Sequence, residues 1–285
     1  MYGRKRSFLF CPYILSFLFA GMCNPFYTKK SLLYFSVIAC GCCMRMIGTI
    51  IRTIVSRVLL FFIMVVFFVP ILIFICVPQK RRYSSRIIFW FVHVFYWLVL
   101  KCSLLSITYH GMENIPDRAV IFAVNHQSSF DVPLAGLLSH GPHIWLAKYE
   151  LMESPILRWV LPLFTVLVDV SSAKRAMRSL RMLLMLVNGD RRNLIIFPEG
   201  GRYTDGAIHP FFGGFVILAK KTGMPVVPVY IANVGKVYPP DSFWVYNYPI
   251  RVIVGNPVVH TEGETDEQFK DKIYAWFVEQ NALYQ

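Results

Sequence analysis

An α/β domain with a mostly parallel sheet flanked by helices, held behind an N-terminal membrane-anchoring helical hairpin, is the architecture this sequence predicts. Three observations carry that expectation. First, charge and cysteine are partitioned. Residues 1–106 hold 13 of the 29 Lys and Arg, all seven Cys and no Asp or Glu, whereas the 16 basic residues that follow are matched by 16 acidic ones. Second, two long apolar runs, Val58–Val77 and Ile87–Leu100, lie in that basic, acid-free part. Third, from Thr108 onward short apolar runs alternate with helical patterns, as strands joined by crossover helices do.

Taken in order, residues 1–43 read as an apolar basic extension or an extra membrane segment. Arg4, Lys5 and Arg6 precede the apolar run Phe8–Cys23, a pattern shared with signal peptides. Met22 stands where a lipoprotein cleavage site needs a small residue, so an uncleaved anchor or an upstream extension is the preferred reading, with Met44 or Met46 as an alternative start. Residues 44–107 form the anchor proper. Val58–Val77 has no charge over twenty residues, about 30 Å as a helix, enough to cross a bilayer core. Pro70 is a candidate kink. Arg45, Arg52 and Arg57 flank the run on one side and Lys80, Arg81, Arg82 and Arg86 on the other. With both flanks basic, a spanning hairpin and a hairpin within one leaflet both fit. The preferred reading puts the basic groups on the cytoplasmic side.

Residues 108–285 are long enough for one domain with a sizeable core. Strands are expected at Val120–Val124, His143–Ala147, Phe164–Val168, Leu194–Phe197, Val226–Ile231 and Ile250–Val254. Helices are expected at Pro133–Leu138, Ser154–Leu161, Lys174–Val187 and Gly213–Lys221. Gly223 reads as a helix terminator with Pro225 beyond it. Thr265-Asp266-Glu267-Gln268 is a capping box that opens a last helix reaching about Leu283.

Composition excludes several function classes. The net charge of +13 resides wholly in the apolar N-terminal part, which suits an anionic membrane surface and not nucleic acid. Without cysteine after Cys102, the C-terminal domain has no disulfide, thiol nucleophile or thiolate metal site. Cys40, Cys42 and Cys43 lack a partner cluster at metal-ligand spacing. His260-Thr261-Glu262 has no Cys-x-x-Cys downstream. His140 and His143 flank Gly141-Pro142, a pattern read as a turn and not a metal site, and His93 reads as a packed histidine of the anchor.

The chemistry concentrates in two clusters that directly follow apolar runs. In Asn125-His126-Gln127-Ser128-Ser129-Phe130-Asp131, a histidine is followed five positions later by an aspartate. Its imidazole can accept a proton from an attacking hydroxyl if a carboxylate holds its other nitrogen. On a straight helix the two would point about 140° apart; the pairing works if His126 lies in a loop and Asp131 begins the next helix. In Phe197-Pro198-Glu199-Gly200-Gly201-Arg202, the double glycine permits close approach and the guanidinium fork suits a phosphate.

Together these segments resemble the lysophospholipid acyltransferase family, across roughly residues 105–260 and the paired N-terminal helices. The family's N-H-x4-D block is matched by Asn125, His126 and Asp131. Its F-P-E-G-T-R block is matched by Phe197, Pro198, Glu199, Gly200 and Arg202, with Gly201 in place of Thr. Its V-P-V-x-P block is similar to Met224-Pro225-Val226-Val227-Pro228-Val229. The G-x-I-F-I-D-R block is met in part by Phe164 to Val170: Asp169 is present and Val170 replaces the arginine, with Lys174 or Arg175 as substitutes. Phe211-Phe212-Gly213-Gly214 stands where F-K-x-G is expected.

The resemblance implies a glycerol-phosphate-acyltransferase-like fold and an O-acyltransferase of phospholipid biosynthesis. His126 would be general base and Asp131 its orienting carboxylate. Glu199, Gly200, Arg202, Asn125 and Pro228 would serve the substrate. The donor would be acyl-CoA or acyl carrier protein, used as co-substrate, with no cofactor and no metal. The acceptor would be a membrane lysolipid, 1-acylglycerol-3-phosphate foremost; from size and compactness the expected location is a bacterial inner membrane, with the catalytic domain facing the cytoplasm. A lyso-ornithine lipid is the alternative acceptor, and a non-catalytic lipid-binding protein the alternative class. A penicillin-binding-type serine enzyme is also testable, because Ser171-Ser172-Ala173-Lys174 gives S-x-x-K and Lys221-Thr222-Gly223 gives K-T-G. No S-x-N lies between them, and the second motif reads as a helix end.

Overall fold

The computed structural model describes residues 29–78, 81–82, 85–153, 158, 161–162, 164–169, 171–190, 192–203 and 205–284. The Phe8–Cys23 run, most of the helix expected at Ser154–Leu161, and Val170 lie outside them. In chain order the strands are β1 (Ile107–His110), β2 (Ile121–Val124), β3 (His143–Lys148), β4 (Thr165–Val168), β5 (Asn193–Ile196), β6 (Val226–Ala232) and β7 (Ile250–Val254). The helices are α1 (Lys29–Ile75), α2 (Arg86–Cys102), α3 (Asp131–Gly136), α4 (Ala173–Asp190), α5 (Gly214–Thr222), α6 (Val234–Val237) and α7 (Asp266–Tyr284).

One seven-stranded sheet has the order β1-β7-β6-β2-β5-β3-β4. Strands β2 to β6 are mutually parallel, and β7 enters antiparallel beside β6, carrying β1 parallel to itself. All four residues of β2 and all seven of β6 are buried. That burial explains their continuous apolar sequences, since a parallel strand covered on both faces has no polar side. Pro228 is tolerated inside β6 because the β6–β7 ladder begins only at Val229↔Val254. Its missing N–H falls between that ladder and the isolated Val226↔Val258 bridge, and its carbonyl still accepts from Gly255 N at 2.8 Å.

Helices cover both faces. On one, α4, α5 and α7 bury Leu183, Val187, Phe215, Leu218, Phe269, Ile273 and Phe277. On the other, α2, α3 and the segment after β6 bury Leu100, Leu134, Leu138, Val234 and Val245. The capping box closes as expected, with Thr265 N donating to Gln268 Oε1 at 2.9 Å and Gln268 N to Thr265 Oγ1 at 3.2 Å. Gly223 ends α5 with φ 65°.

The two N-terminal helices pack together through Phe67 with Phe91 and Phe95, and Phe74 with Phe91. Here the structure departs from expectation: α1 is one helix of 47 residues and continues through Pro70. Its segment Met46–Ile75 is long and apolar enough to cross a membrane. Arg57 ties α1 to the domain, donating from Nη2 to Tyr238 Oη and to the Phe243 carbonyl, both at 3.0 Å. Thr53 Oγ1 accepts from Val245 N at 3.0 Å.

Helix α2 meets α3 where Gly136 lies against Tyr96; a Cβ at Gly136 would stand 2.3 Å from Tyr96 Cε2. The Tyr96 hydroxyl also accepts from Trp145 Nε1 at 3.0 Å, so the ring cannot retreat freely. Gly136→Ala is therefore expected to cost about 1–3 kcal/mol, as overpacking does, and to lower the melting temperature in detergent. An unchanged melting temperature would contradict this packing.

Candidate active site

The parallel strands bring their C-terminal ends to one rim. Beyond β2 the chain crosses to α3 on one face, whereas beyond β5 it crosses to α5 on the other. Neighbouring strands whose exits diverge leave a crevice between them, where α/β proteins bind ligands. Both sequence clusters open onto it: residues 125–131 leave β2 and residues 197–202 leave β5.

His126 lies in the loop and Asp131 is the first residue of α3, so the chain doubles back between them. Asp131 is wholly buried. Its Oδ2 receives His126 Nδ1 at 2.8 Å, Gln127 N at 2.7 Å and Ser128 N at 2.8 Å. Ser128 Oγ in turn donates to the Tyr238 carbonyl at 2.7 Å, which connects this loop to the residue that holds Arg57 of α1. With Nδ1–H donated to the carboxylate, Nε2 carries the lone pair, a tautomer assigned from the bonding network. Nε2 accepts from Arg202 Nε at 3.0 Å. The imidazole lies flat on Phe197, centroids 3.8 Å apart at 11°. Phe197 stacks in turn on Trp145 at 5.6 Å, and Trp145 bonds Tyr96 of α2. This aromatic column orients the ring from beneath, and nothing in the spacing of the motif reveals it.

Glu199, expected to serve the substrate, is engaged with the backbone of both loops. It is buried, and its two oxygens accept from His126 N at 3.2 Å and His209 N at 3.0 Å. Burial pushes its carboxyl above the ordinary range, against the two backbone N–H donors that pull it down. Glu199 thus clamps the β2 and β5 loops together. A glutamine there would satisfy one N–H and set its own NH2 against the other. Glu199→Gln is expected to lose about 1.5–3 kcal/mol, the value of a charge-assisted bond, measured as a lower urea midpoint. An unshifted midpoint would argue against the clamp.

Gly200 adopts φ +65°, and a Cβ there would lie 2.3 Å from the Phe212 ring and 3.2 Å from Lys148 Cε. Lys148, the last residue of β3, rests its ammonium 5.0 Å from the Phe212 centroid. Sequence reading overlooked Lys148. It is distant from both motifs in sequence, and only the strand order, which sets β3 beside β5, brings it near. Arg175, considered as a substitute for the arginine missing at Val170, instead pairs with Asp169 at 3.4 Å.

Asn125 and Pro228, expected to serve the substrate, are buried in the sheet. Asn125 Oδ1 accepts from Ile231 N at 2.7 Å and Nδ2 donates to the Ile231 carbonyl at 3.2 Å. It extends the β2–β6 ladder by one rung, and Pro228 lies within β6 four residues before its last residue, Ala232. His143 opens β3, where the strand was expected; burial pushes its imidazole down to about 3. Lys221-Thr222-Gly223 closes α5, and the Ser171 hydroxyl bonds Asp169, not Lys174. No His, Cys, Asp and Glu cluster able to hold a metal occurs among the described residues.

A family model described as Acyltransferase matches residues 106–232. Among curated proteins, the chain is 29% identical over 226 residues to the 1-acyl-sn-glycerol-3-phosphate acyltransferase of Pseudomonas aeruginosa, covering 76% of this chain and 82% of that one. It is 30% identical over 159 residues to a chloroplastic 1-acyl-sn-glycerol-3-phosphate acyltransferase of Brassica napus, 54% of this chain and 45% of the relative. The matched segment therefore spans less than half of the Brassica protein. A lyso-ornithine lipid O-acyltransferase of Pseudomonas aeruginosa is 29% identical over 138 residues, 48% of this chain and 52% of the relative. The crystal structure of the 1-acyl-sn-glycerophosphate (LPA) acyltransferase PlsC from Thermotoga maritima superposes with a TM-score of 0.67 over 84% of this chain and 97% of that one, at 23% identity, and so shares the fold. These matches cover the strands and loops that build the crevice: residues 106–232 match the acyltransferase family, and the chain is similar to 1-acyl-sn-glycerol-3-phosphate acyltransferases.

Proposed function

We propose that this chain transfers an acyl group from an acyl thioester to the free hydroxyl of a lysophospholipid, foremost 1-acylglycerol-3-phosphate, giving phosphatidate. The observation that carries the reading is the His126 Nδ1 to Asp131 Oδ2 bond of 2.8 Å, with Nε2 directed to the crevice beside Arg202. The acceptor hydroxyl displaces Arg202 from Nε2 and gives up its proton there. Its oxygen attacks the thioester carbonyl. The C–S bond breaks as the tetrahedral centre collapses, and the imidazolium returns the proton to the departing thiolate. Asp131 holds the ring and offsets its charge while it is protonated. Arg202, freed from the histidine, and Lys148 are the cations offered to the phosphate. Helices α1 and α2 keep the crevice at the bilayer, where the acceptor resides.

The test is thiol release by the detergent-purified chain, given an acyl thioester with and without 1-acylglycerol-3-phosphate. Acceptor-dependent release supports the proposal; acceptor-independent release indicates a thioesterase. Lys148→Ala is expected to raise KM for 1-acylglycerol-3-phosphate about 10- to 100-fold, the equivalent of one charge-assisted contact of roughly 1.5–3 kcal/mol. An unchanged KM would remove Lys148 from the phosphate site.

A second acceptor deserves the same assay, because one observation favours it. Phe212 is 59% exposed and covers Lys148 where the family pattern has a lysine. A site with an aromatic ring there suits a less anionic head group, such as that of a lyso-ornithine lipid. Higher kcat/KM for that acceptor than for 1-acylglycerol-3-phosphate would choose it.

A further inference from the structure

We propose that the exposed face of α4 docks the acidic carrier protein that delivers the acyl thioester; the inference rests on the acyl-transfer reading above. Lys174, Arg175, Arg178 and Arg181 are all exposed. At 100° per residue Lys174, Arg178 and Arg181 fall within about 60° of one another, and they span about 10 Å of helix. The opposite side of α4 buries Leu183 and Val187 in the core, so the face cannot rotate away. Arg175 shares Asp169. Among the described residues Lys174, Arg178 and Arg181 have no acidic partner, and no acid occurs within α4 before Asp190. Residues 108–285 are electrically neutral as a whole, so this concentration of positive charge is local.

Position supplies the second argument. Helix α4 begins just beyond β4, on the rim that carries His126. The order β2-β5-β3-β4 sets its start three strand spacings away, about 14 Å, with Lys148 on β3 between them. A carrier held there would face the crevice with its thioester arm. The face also lies across the sheet from α2, which packs against α1, so a soluble donor reaches it without displacing the anchor. Cations at helical repeat on a convex surface match acidic side chains repeating on another helix.

The experiment compares wild type with Arg178→Glu/Arg181→Glu, full chain in detergent, using acyl carrier protein and acyl-CoA as donors and 1-acylglycerol-3-phosphate as acceptor. The expected result is an increase of about tenfold or more in KM for the acylated carrier, with kcat held and the acyl-CoA parameters within about twofold, since rim charges act on encounter and capture. Wild-type KM for the carrier should also rise with salt, as exposed charges are screened. A parallel loss with acyl-CoA would overturn the proposal in favour of a nucleotide site. Unchanged donor kinetics with weaker binding to vesicles of anionic phospholipid would overturn it in favour of a lipid surface. Unchanged kinetics throughout, or a wild type that turns over acyl-CoA but not the acylated carrier, would also overturn it. A wild type inactive with both donors would refute the acyl-transfer reading itself, which separates the two failures.

Discussion

Replacing His126 by alanine lowers acceptor-dependent thiol release by about 10²–10⁴-fold, the share that a general base contributes, while KM for the acyl donor changes little. The ring's ties to the fold are its stacking on Phe197 and its bonds to Asp131 and Arg202. Asp131 keeps the bonds from Gln127 N and Ser128 N that shape the loop, and Glu199 still accepts from the residue 126 backbone. The melting temperature should therefore remain within a few degrees of wild type. Loss of the ring opens a space above Phe197, so added imidazole is expected to restore part of the rate. Activity within tenfold of wild type would remove His126 from the base role. A protein that binds lysolipid without turnover, equally in wild type and His126→Ala, would instead be the non-catalytic member considered from the sequence.

Much of this arrangement is legible without coordinates, for reasons that are local. The strands β2, β5 and β6 are covered on both faces, and burial writes itself as near-continuous apolar runs. The β7 limits, Ile250–Val254, coincide with the expected strand. The five-residue spacing of His126 and Asp131 excludes a straight helix by geometry alone, and the loop-to-helix placement follows. What stayed hidden depends on neighbours distant in sequence. Strand β1 is four residues long, with alternate residues more exposed and only β7 beside it, so its pattern is too weak to read. The roles of Glu199 and Asn125 follow from backbone groups 73 and 106 residues away. A carboxylate whose partners are main-chain N–H groups leaves no mark in a motif, so the clamp that Glu199 forms could not be read beside its expected service to the substrate. Lys148 and the Phe197–Trp145–Tyr96 column emerge only when the strand order is known. The length of α1 escaped for another reason: Arg45 and Arg52 interrupt the apolar pattern, and the single helix continues through both into the apolar segment.

Asp131→Asn is the sharper test of the site, because it removes a charge without changing shape. Oδ2 of Asp131 accepts three hydrogen bonds, from two main-chain N–H groups and from His126 Nδ1. An asparagine that turns its oxygen to this position preserves the contacts and loses the negative charge that offsets the imidazolium. One that turns its NH2 there places a donor against three donors. The His126 ring then relieves its share by moving its proton to Nε2, where the lone pair was needed to accept the hydroxyl proton. Either way the proton transfer suffers, and kcat should fall on the order of 10³–10⁴-fold, as in the equivalent exchange in a serine protease triad, with KM for the acceptor nearly constant. Asp131 acts through His126, so the decisive readout is the ring itself. The nitrogen resonances of the His126 imidazole should report Nδ1–H in the wild type and a mixed or Nε2–H population in the variant. A large loss of rate with the wild-type tautomer retained would leave charge compensation as the only role for Asp131. Unchanged rate and unchanged tautomer would mean that the 2.8 Å contact orients nothing, and the proposed mechanism would lose its foundation.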